Sequence, residues 1–377
     1  MTSRSPRVVG LRLLLVLLPV LLAACSSTDK PKPTALETFE PKISGRQIWS
    51  ARVDSVKFPL VAATRNGQFA VAGSDGQVVV LQADSGAELW RASAGANVSA
   101  GVGSDGRFVS VATAGNEVVT FEAGRELWRQ RVPARVVSAP LVAGERVFVM
   151  SVDRVVHAFD ALDGRRLWTL QRPGDALTLA QGGVVWPYRN LLLVGQGARL
   201  TALDPLRGTV QWEVPLASPR GTNEVERLAD LIGPPVRVGD RVCARAFQSA
   251  VGCMDAARGT LLWTRNNGGA QAVGADEERV VGADASDRIT AWKSTTGDVI
   301  WSNERMLHRG LSGALIVGGS AVFGDVEGQV HFLSATTGET QMRLPTDGSP
   351  VIGTPMLSGS TILVATRNGG LFAFRLN

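Results

Sequence analysis

The chain has 377 residues, of which 45% are hydrophobic and 19% are charged, and it contains 42 glycines but a single tyrosine. This composition excludes a disordered chain and indicates an ordered body with many tight turns. The formal net charge is +5, but three of the arginines lie within the first twelve residues, and the other basic residues are mixed with acids. We therefore expect no nucleic-acid partner.

The N-terminus has the features of an export signal over residues 1–24, with basic residues followed by the apolar run 13–22. This run is too short to cross a bilayer. The segment Leu22-Ala23-Ala24-Cys25 resembles the lipobox of bacterial lipoproteins, which implies that Cys25 becomes the diacylated and N-acylated first residue of the mature chain. Ser26 stands where lipoproteins retained in the inner membrane commonly carry aspartate, so the resemblance favours the outer membrane. Ordinary signal cleavage beside a free cysteine is the alternative.

A polar segment follows this cysteine. It reads Ser-Ser-Thr-Asp-Lys-Pro-Lys-Pro-Thr from Ser26, which is the composition of a flexible linker. Several acyl chains on one residue make a stable membrane anchor. Residues 25–44 are therefore predicted to be a lipidated, flexible tether.

The rest of the chain is governed by a repeat in which a glycine is followed four residues later by tryptophan. The tryptophans at this position are Trp49, Trp90, Trp128, Trp168, Trp212, Trp263 and Trp301. Gly338 and Met342 form an eighth, degenerate copy. The copies recur about every 40 residues, which is typical of four-stranded β-propeller blades.

Several copies also carry signals for strands and turns. Asp75-Gly76, Glu327-Gly328 and Asn368-Gly369 favour type I′ hairpin turns, in which both central residues have positive φ. Four prolines stand at the predicted openings of strands, where a proline is tolerated. These are Pro140, Pro187, Pro235 and Pro355.

The two ends of the chain determine the number of blades. The chain stops at Asn377, before the outer strand of its last copy, while an unassigned strand surrounds Trp49 near the start. Pairing these two ends closes the ring and removes exposed sheet edges. We therefore predict an all-β fold over residues 45–377, namely an eight-bladed propeller of four-stranded antiparallel blades.

Cys243 and Cys253 form a candidate disulfide, since both lie in an exported chain. Alignment with the Asn368-Gly369 hairpin places Ala244 opposite Cys253, so that Cys243 points to the other face. The expectation is two free thiols. A register shift in this hairpin is the alternative that would bring the two cysteines together.

Few residues suggest catalysis or metal binding. His157, His308 and His331 have no second histidine or cysteine at metal-ligand spacing, and His157 and His331 occupy equivalent strand positions, where packing explains them. The glycine pattern of residues 101–106 precedes a strand rather than the helix that dinucleotide binding needs. No serine lies in a nucleophile-elbow context.

The glycine–tryptophan repeat resembles the tryptophan-docking motif of quinoprotein propellers, the pyrroloquinoline-quinone-like repeat. In that family the motif joins neighbouring blades. A periplasmic quinone-dependent enzyme is therefore the alternative function, but it also needs cofactor-stacking aromatic residues, acidic metal ligands and a catalytic carboxylate at the ring centre. Because no such constellation is visible, we expect neither catalysis nor a cofactor.

Together with the lipobox and the chain length, the repeat resembles the BamB family of propeller lipoproteins. The specific stretches are residues 221–230, Leu307-His-Arg-Gly310 and Gly324-Asp-Val-Glu-Gly-Gln-Val-His331, which do not belong to the generic repeat. The resemblance implies a non-catalytic subunit of the outer-membrane β-barrel assembly (BAM) complex. Its partners would be the POTRA domains of the BamA insertase, other BAM subunits and nascent outer-membrane proteins.

Two consecutive connections between repeats are longer than the others, which predicts a binding surface on one face of the propeller. Residues 169–186 include Leu177 and Leu179, and residues 213–234 include Arg227, Leu228 and Asp230. The alternative is that the leucines only pack the loops down.

The resemblance strengthens the binding interpretation, because Leu177, Leu179 and Asp230 match positions with which the family holds the insertase. The chain departs from the family at Ala180, where arginine is frequent, and at Ile232, where a second aspartate is frequent.

Overall fold

The structural unit is a four-stranded antiparallel sheet, which is repeated eight times within the part of the chain that the structure describes. The computed structural model describes residues 31–58, 61–172, 179, 183–218, 222–223, 225 and 228–377. One unit extends over Pro33–Asn377. The described part of the chain contains no helix with the length and apolar character that a membrane crossing needs.

The strands are assigned to blades in chain order, and β1 (Gly45–Arg52) belongs to the last blade. Blade 1 has β2 (Ala63–Arg65), β3 (Gln68–Ala72), β4 (Gln77–Gln82) and β5 (Glu88–Ser93). Blade 2 has β6 (Gly103–Ser104), β7 (Phe108–Ala112), β8 (Glu117–Glu122) and β9 (Arg125–Arg131). Blade 3 has β10 (Leu141–Ala143), β11 (Arg146–Met150), β12 (Val155–Asp160) and β13 (Arg166–Gln171). Blade 4 has β14 (Val184–Tyr188), β15 (Leu191–Gln196), β16 (Arg199–Leu203) and β17 (Val210–Pro215).

The second half of the ring follows the same order. Blade 5 has β18 (Leu231–Val238), β19 (Arg241–Ala246), β20 (Ala250–Asp255) and β21 (Thr260–Asn266). Blade 6 has β22 (Gly274–Ala275), β23 (Arg279–Ala283), β24 (Ile289–Lys293) and β25 (Val299–Asn303). Blade 7 has β26 (Leu315–Val317), β27 (Ser320–Gly324), β28 (Gln329–Ser334) and β29 (Thr340–Pro345). Blade 8 has β30 (Val351–Ser358), β31 (Thr361–Thr366), β32 (Gly370–Leu376) and, as its outer strand, β1.

The sheets close into a ring, because the first strand of each blade contacts the first strand of the next, and β30 contacts β2. The second and third strands are nearly continuous apolar runs, as expected for strands covered on both faces by neighbouring blades. In blade 1, for example, residues 69–72 and 78–81 are all buried. The core is thus a series of apolar layers between blades.

Ring closure is confirmed as predicted. The N-terminal strand β1 pairs antiparallel with the C-terminal strand β32, from Gly45 opposite Leu376 to Arg52 opposite Gly370. The two ends of the chain therefore complete a single sheet, and blade 8 has the same four strands as the others.

The repeated tryptophans join adjacent blades. Each lies on an outer strand and packs on the repeat glycine of the next blade; a Cβ added to Gly164, for instance, would lie 2.6 Å from the ring of Trp128. The indole N–H of Trp128 also donates to the carbonyl oxygen of Ala161 in the same turn, at 2.8 Å. At the degenerate copy, Met342 packs on Gly45. In the turns that receive a tryptophan, the glycine is required because the turn has positive φ and no space for a side chain.

A β-bulge recurs in the described outer strands at the residue before the tryptophan. In blade 1, Val80 pairs with Trp90 and Leu81 pairs with Glu88, so Leu89 is left unpaired. The equivalent residues are Ile48, Leu89, Leu127, Leu167, Gln211, Leu262, Ile300 and Gln341. A bulge increases local twist and interrupts the edge of a sheet, so the outer edges of the blades are poor templates for further strands.

The predicted type I′ turns are wrong. Asp75, Glu327 and Asn368 do not have positive φ; only the following glycines do. The N–H of Gly369 donates to the carbonyl oxygen of Thr366 at 3.0 Å. The N–H groups of Gly76 and Gly328 likewise donate to the carbonyl oxygen three residues before them. These hairpins have three-residue loops, in which a type I turn is followed by a left-handed glycine.

This loop length also overturns the prediction of free thiols. The hairpin between β19 and β20 has the three-residue loop 247–249, which places Cys243 directly opposite Cys253. The two residues form a disulfide, with their Cα atoms 4.0 Å apart. The predicted register assumed a loop shorter by one residue. The reference hairpin shows the same difference, because Ala373 pairs with Leu363 rather than with Val364.

The strand prolines are placed differently from the prediction. Pro140 immediately precedes β10, but Pro187, Pro235 and Pro355 lie inside their strands. Pro235 and Pro355 fall within register shifts of β18 and β30, where the ladder is already interrupted. A residue without an N–H is tolerated there.

The antiparallel order of the strands defines two faces of the propeller. The loops between the second and third strands and the connections between blades, with Asp325, Arg309 and Asp230, form one face, which we call the connection face. The other two kinds of turn, with Ala257 and Leu162, form the opposite face, which we call the turn face.

The folded body begins earlier than the sequence indicated. Residues 34–43, which were assigned to the flexible tether, contact blade 7: the N–H of Thr34 donates to Leu307 O at 3.0 Å, and that of Lys42 donates to Gln341 O at 2.9 Å. These partners are distant in the chain, and a short polar segment gives no periodic signal of them. Residues 1–30, including Cys25 and the proposed export signal, lie outside the described residues.

Candidate partner-binding site

The two long connections meet on the connection face, as predicted. The carboxylate of Asp230, in the second connection, accepts a hydrogen bond from the backbone N–H of Leu179, in the first, with 2.9 Å between N and Oδ2. Asp230 is buried, with 5% of its surface exposed, and Leu179 is half-buried. Asp230 therefore holds the first loop against the second.

Backbone hydrogen bonds fix the base of both loops. The N–H of Leu231 donates to Gly197 O at 2.8 Å, and the N–H of Gly183 donates to Leu231 O at 3.1 Å. The N–H of Phe247 donates to Asp230 O at 2.9 Å. Backbone hydrogen bonds to blades 4 and 5 thus fix the position of Asp230.

Glycines allow this close approach. A Cβ at Gly183 would lie 1.8 Å from the methyl group of Met150, and Gly183 has a φ of +116°. Met150 and Gly183 line a small cleft beside Asp230, together with Gln196. The side-chain amide of Gln196 donates to Arg154 O at 2.9 Å and so joins blades 3 and 4. Residues of blades 3 and 4 and of the connection to blade 5 therefore line one cleft on the connection face.

Exposed apolar surface accompanies the second loop. Val225 is 68% exposed, and its carbonyl oxygen accepts a hydrogen bond from the N–H of Leu228 at 3.2 Å. Leu228 is half-buried. Val225 was not selected from the sequence, although its position between two glutamates in the longer connection is a signal for exposure.

Several predicted site residues lie outside the described residues, namely Leu177, Arg227 and Ala180. Ile232, at the position where the family often has a second aspartate, is buried in β18, and its backbone pairs with Arg245. An isoleucine at this position contributes to packing and leaves Asp230 as the acidic residue at this end of the strand.

Two of the three histidines, His157 and His331, occupy the strand positions that packing predicts. His157 and His331 are buried in β12 and β28, while His308 is exposed in a connection. Among the described residues, no three His, Cys, Asp or Glu side chains lie close enough together to hold a metal ion.

The contacts of Ser151 with an acid and a histidine differ from those of a hydrolase triad. The Ser151 hydroxyl lies 2.5 Å from Asp153 Oδ1 and 3.3 Å from His157 Nε2, whereas His157 Nδ1 has no hydrogen-bond partner among the described residues. In a triad the acid contacts the histidine rather than the serine. Burial lowers the pKa of His157, and Arg166 lowers it further, so the imidazole is neutral at pH 7 and is part of the packed interior.

Comparison with known proteins identifies relatives over almost the whole chain. The family model described as outer membrane protein assembly factor BamB matches residues 74–303. The chain is 35% identical to the factor of that name from Burkholderia pseudomallei over 362 residues, which cover 94% of this chain and 95% of the relative. It is also 35% identical to the Bordetella pertussis factor over 356 residues, 93% of this chain and 92% of the relative.

Solved structures share the fold. The crystal structure of BamB from Moraxella catarrhalis matches with a TM-score of 0.79 and 20% identity, over 88% of this chain and all of that one. Quinohemoprotein alcohol dehydrogenase from Comamonas testosteroni matches with a TM-score of 0.68 and 15% identity, over 88% of this chain and 76% of that one. At these identities the likeness concerns the propeller fold alone.

Proposed function

Because the chain belongs to the BamB family of outer membrane protein assembly factors, we propose that it is a non-catalytic subunit of the machinery that assembles β-barrel proteins in the outer membrane. Acylated Cys25 would hold it at the periplasmic face of that membrane. The propeller would bind the POTRA domains of BamA, other subunits of the complex and nascent barrel proteins.

The observation that carries this proposal is the bond between Asp230 and Leu179. A buried carboxylate that fixes the backbone of a loop presents the neighbouring side chains in one arrangement, which reduces the entropy lost on binding. Leu177 and Leu179 would then supply the apolar contacts, Leu228 would support them, and Arg227 would supply a charged one. Exposed Val225 extends the apolar area of this surface.

Purification from detergent-solubilised envelopes tests the partner. We expect the wild-type chain to retain the barrel insertase, and the variant Leu177→Ala/Leu179→Ala/Asp230→Ala to lose it while its propeller melts cooperatively. Wild-type recovery of the insertase by a folded triple variant would contradict the proposed surface.

The quinoprotein fold motivates one competing function. A periplasmic dehydrogenase would bind pyrroloquinoline quinone. In the presence of calcium, the purified chain would then change the absorbance spectrum of the added quinone and would oxidise alcohols. We expect no spectral change and no turnover. Saturable binding of the quinone at micromolar concentration would favour the enzyme.

A further inference from the structure

Two sequence stretches outside the generic repeat, residues 307–310 and 324–331, come together at blade 7. The first contacts the N-terminal segment of the chain, and the second contacts Arg309 of the first. We call residues 34–43 the strap. The backbone of Thr34 is held from both sides: its N–H donates to Leu307 O at 3.0 Å, and its carbonyl oxygen accepts from Arg309 Nη1 at 2.8 Å. The strap thus begins in a site that recognises an extended backbone.

Some of the following side chains contact the propeller, and others are exposed to solvent. Leu36 packs on the apolar layer between blades 6 and 7, whereas Ala35 is exposed. The carboxylate of Glu37 accepts hydrogen bonds from Arg305 at 3.0 Å and from the hydroxyl of Thr340 at 2.7 Å. The guanidinium of Arg343 lies 5.1 Å from the ring centre of Phe39. These contacts bind one sequence in one register.

A buried carboxylate fixes the orientation of Arg309, the arginine that donates to Thr34. Arg309 is 2% exposed and Asp325 is fully buried; Nε and Nη2 of Arg309 lie 2.9 and 2.7 Å from Asp325 Oδ2. Arg309 also contacts Glu327. Because both anions fix the plane of the guanidinium, Nη1 points at the strap without further ordering.

His331 completes the cluster. Arg343 Nε donates to His331 Nδ1 at 3.3 Å, so the proton of the ring is on Nε2, which donates to Asp325 Oδ2 at 2.9 Å. Burial lowers the pKa of His331 despite the nearby carboxylate. Burial alone would raise the pKa of Asp325, but the bonds from His331 and from the N–H of Gln329, together with Arg309, lower it to about 2. Asp325 is therefore ionised at neutral pH beside Arg309.

We propose that these two stretches are a receptor for the strap, and that the strap fixes the side of the propeller from which the N-terminal chain leaves. Thr34 lies beside Leu307 and Arg309 on the connection face, and the strap then runs along the outer strand of blade 7 toward Gly45. Asp230 lies on the same face. The membrane anchor and the partner surface are thereby joined to one side of the ring.

This inference rests on the proposed lipidation of Cys25. Thr34 follows Cys25 by nine positions, and a fully extended chain advances about 3.3–3.6 Å per residue, so the tether reaches at most about 32 Å. With a free tether up to residue 44 the reach would be about twice as long, and either face could turn to the membrane. The strap therefore directs the partner surface toward the bilayer.

Hydrogen exchange of the full mature chain tests the receptor. Leu36→Asp places a charge in the apolar layer, and we expect the Thr34 and Lys42 amides to exchange at least tenfold faster while the blades keep their protection. Ala35→Asp, at an exposed neighbouring position, is the matched control and should leave both amides protected. Random-coil exchange at Thr34 in the wild type, or no response to Leu36→Asp, would overturn the receptor.

Energy transfer on vesicles tests the orientation. The acylated protein carries one donor dye, at Val225→Cys on the connection face or at Ala257→Cys on the turn face, and the vesicles carry an acceptor on phosphatidylethanolamine headgroups. We expect stronger transfer from position 225, and a smaller difference in Leu36→Asp. Equal or stronger transfer from position 257 would refute the orientation. Failure to bind vesicles would instead contradict the lipid anchor, while the exchange result would still decide the strap.

Discussion

At the scale of single residues, the glycines in the tryptophan-docking turns perform two tasks, since they accept positive φ and leave space for an indole. Gly164 has a φ of +73° and contacts Trp128, whereas Gly144 has a φ of +57° and, within the described part of the chain, no atom within 4 Å of an added Cβ. Comparing the two separates strain of the backbone from loss of docking space.

We expect Gly164→Ala to destabilise the chain more than Gly144→Ala does. Left-handed backbone costs an alanine about 1–2 kcal/mol at either site, and the clash with Trp128 adds about 1–3 kcal/mol of overpacking. Midpoints of urea unfolding measure the difference. Equal losses would mean that the tryptophan moves aside at little cost.

Because Asp230 is buried, its role in the proposed site is to hold the loop in place. The resemblance implied that Asp230 belongs to the positions with which the family holds the insertase, and its carboxylate accepts a hydrogen bond within the protein. Asp230→Ala removes that acceptor and should weaken partner binding by about 1–3 kcal/mol. Asp230→Asn keeps an acceptor for the Leu179 N–H and should retain most of the affinity. If the asparagine variant binds as weakly as the alanine variant, the partner reads the charge itself.

Asp325 predicts a specific loss of stability in acid. Its pKa in the fold is about 2, below the usual value of about 3.9, so its ionised form stabilises the fold above pH 4. This stabilisation, roughly 2 kcal/mol, disappears as the pH falls from about 4 to about 2. Asp325→Asn should be less stable at pH 7, because buried Arg309 loses its partner, and its stability should fall less steeply between pH 4 and 2. Parallel pH profiles for the two proteins would contradict this assignment.

At the scale of strands, the closing strand is the element on which the ring most depends. Deletion of residues 371–377 removes β32 almost entirely and leaves β1 and β31 without their shared partner. We expect aggregation or a large loss of thermal stability, because two sheet edges and the apolar layer beside Phe374 become exposed. A truncated chain that melts within a few degrees of the full chain would disprove the closure.

The sequence predicted the elements best where a signal recurs. Tryptophan and glycine at fixed spacing indicated the blades and the closing strand, because every blade has to dock on the next. The sequence was a poor guide where the structure depends on a loop length that differs by one residue or on a contact with a distant part of the chain. Asn368-Gly369 is compatible with both two-residue and three-residue loops, and that choice determines whether Cys243 and Cys253 face each other. The strap has no periodic pattern, because its partners are more than 200 residues away.

At the scale of the whole molecule, the ring supports two connections that are longer than the repeat requires for joining one blade to the next. The blades use their apolar residues for packing, and the outer edges are interrupted by bulges. We therefore propose that recognition belongs to the two long connections of blades 3–5. The sequence located this surface through loop length, but it could not show that Asp230 is internal, because burial depends on how the two loops pack.

The affinity of the purified chain for the POTRA domains of BamA tests the central claim most directly. The double variant Leu177→Ala/Leu179→Ala should bind at least tenfold more weakly, which corresponds to about 1.4 kcal/mol. The matched control Leu162→Ala/Leu206→Ala removes two leucines that are 61% and 60% exposed on the turn face of blades 3 and 4; it should bind like the wild type. Wild-type affinity of the first variant, or an equal loss in the control, would contradict a partner surface on the connection face.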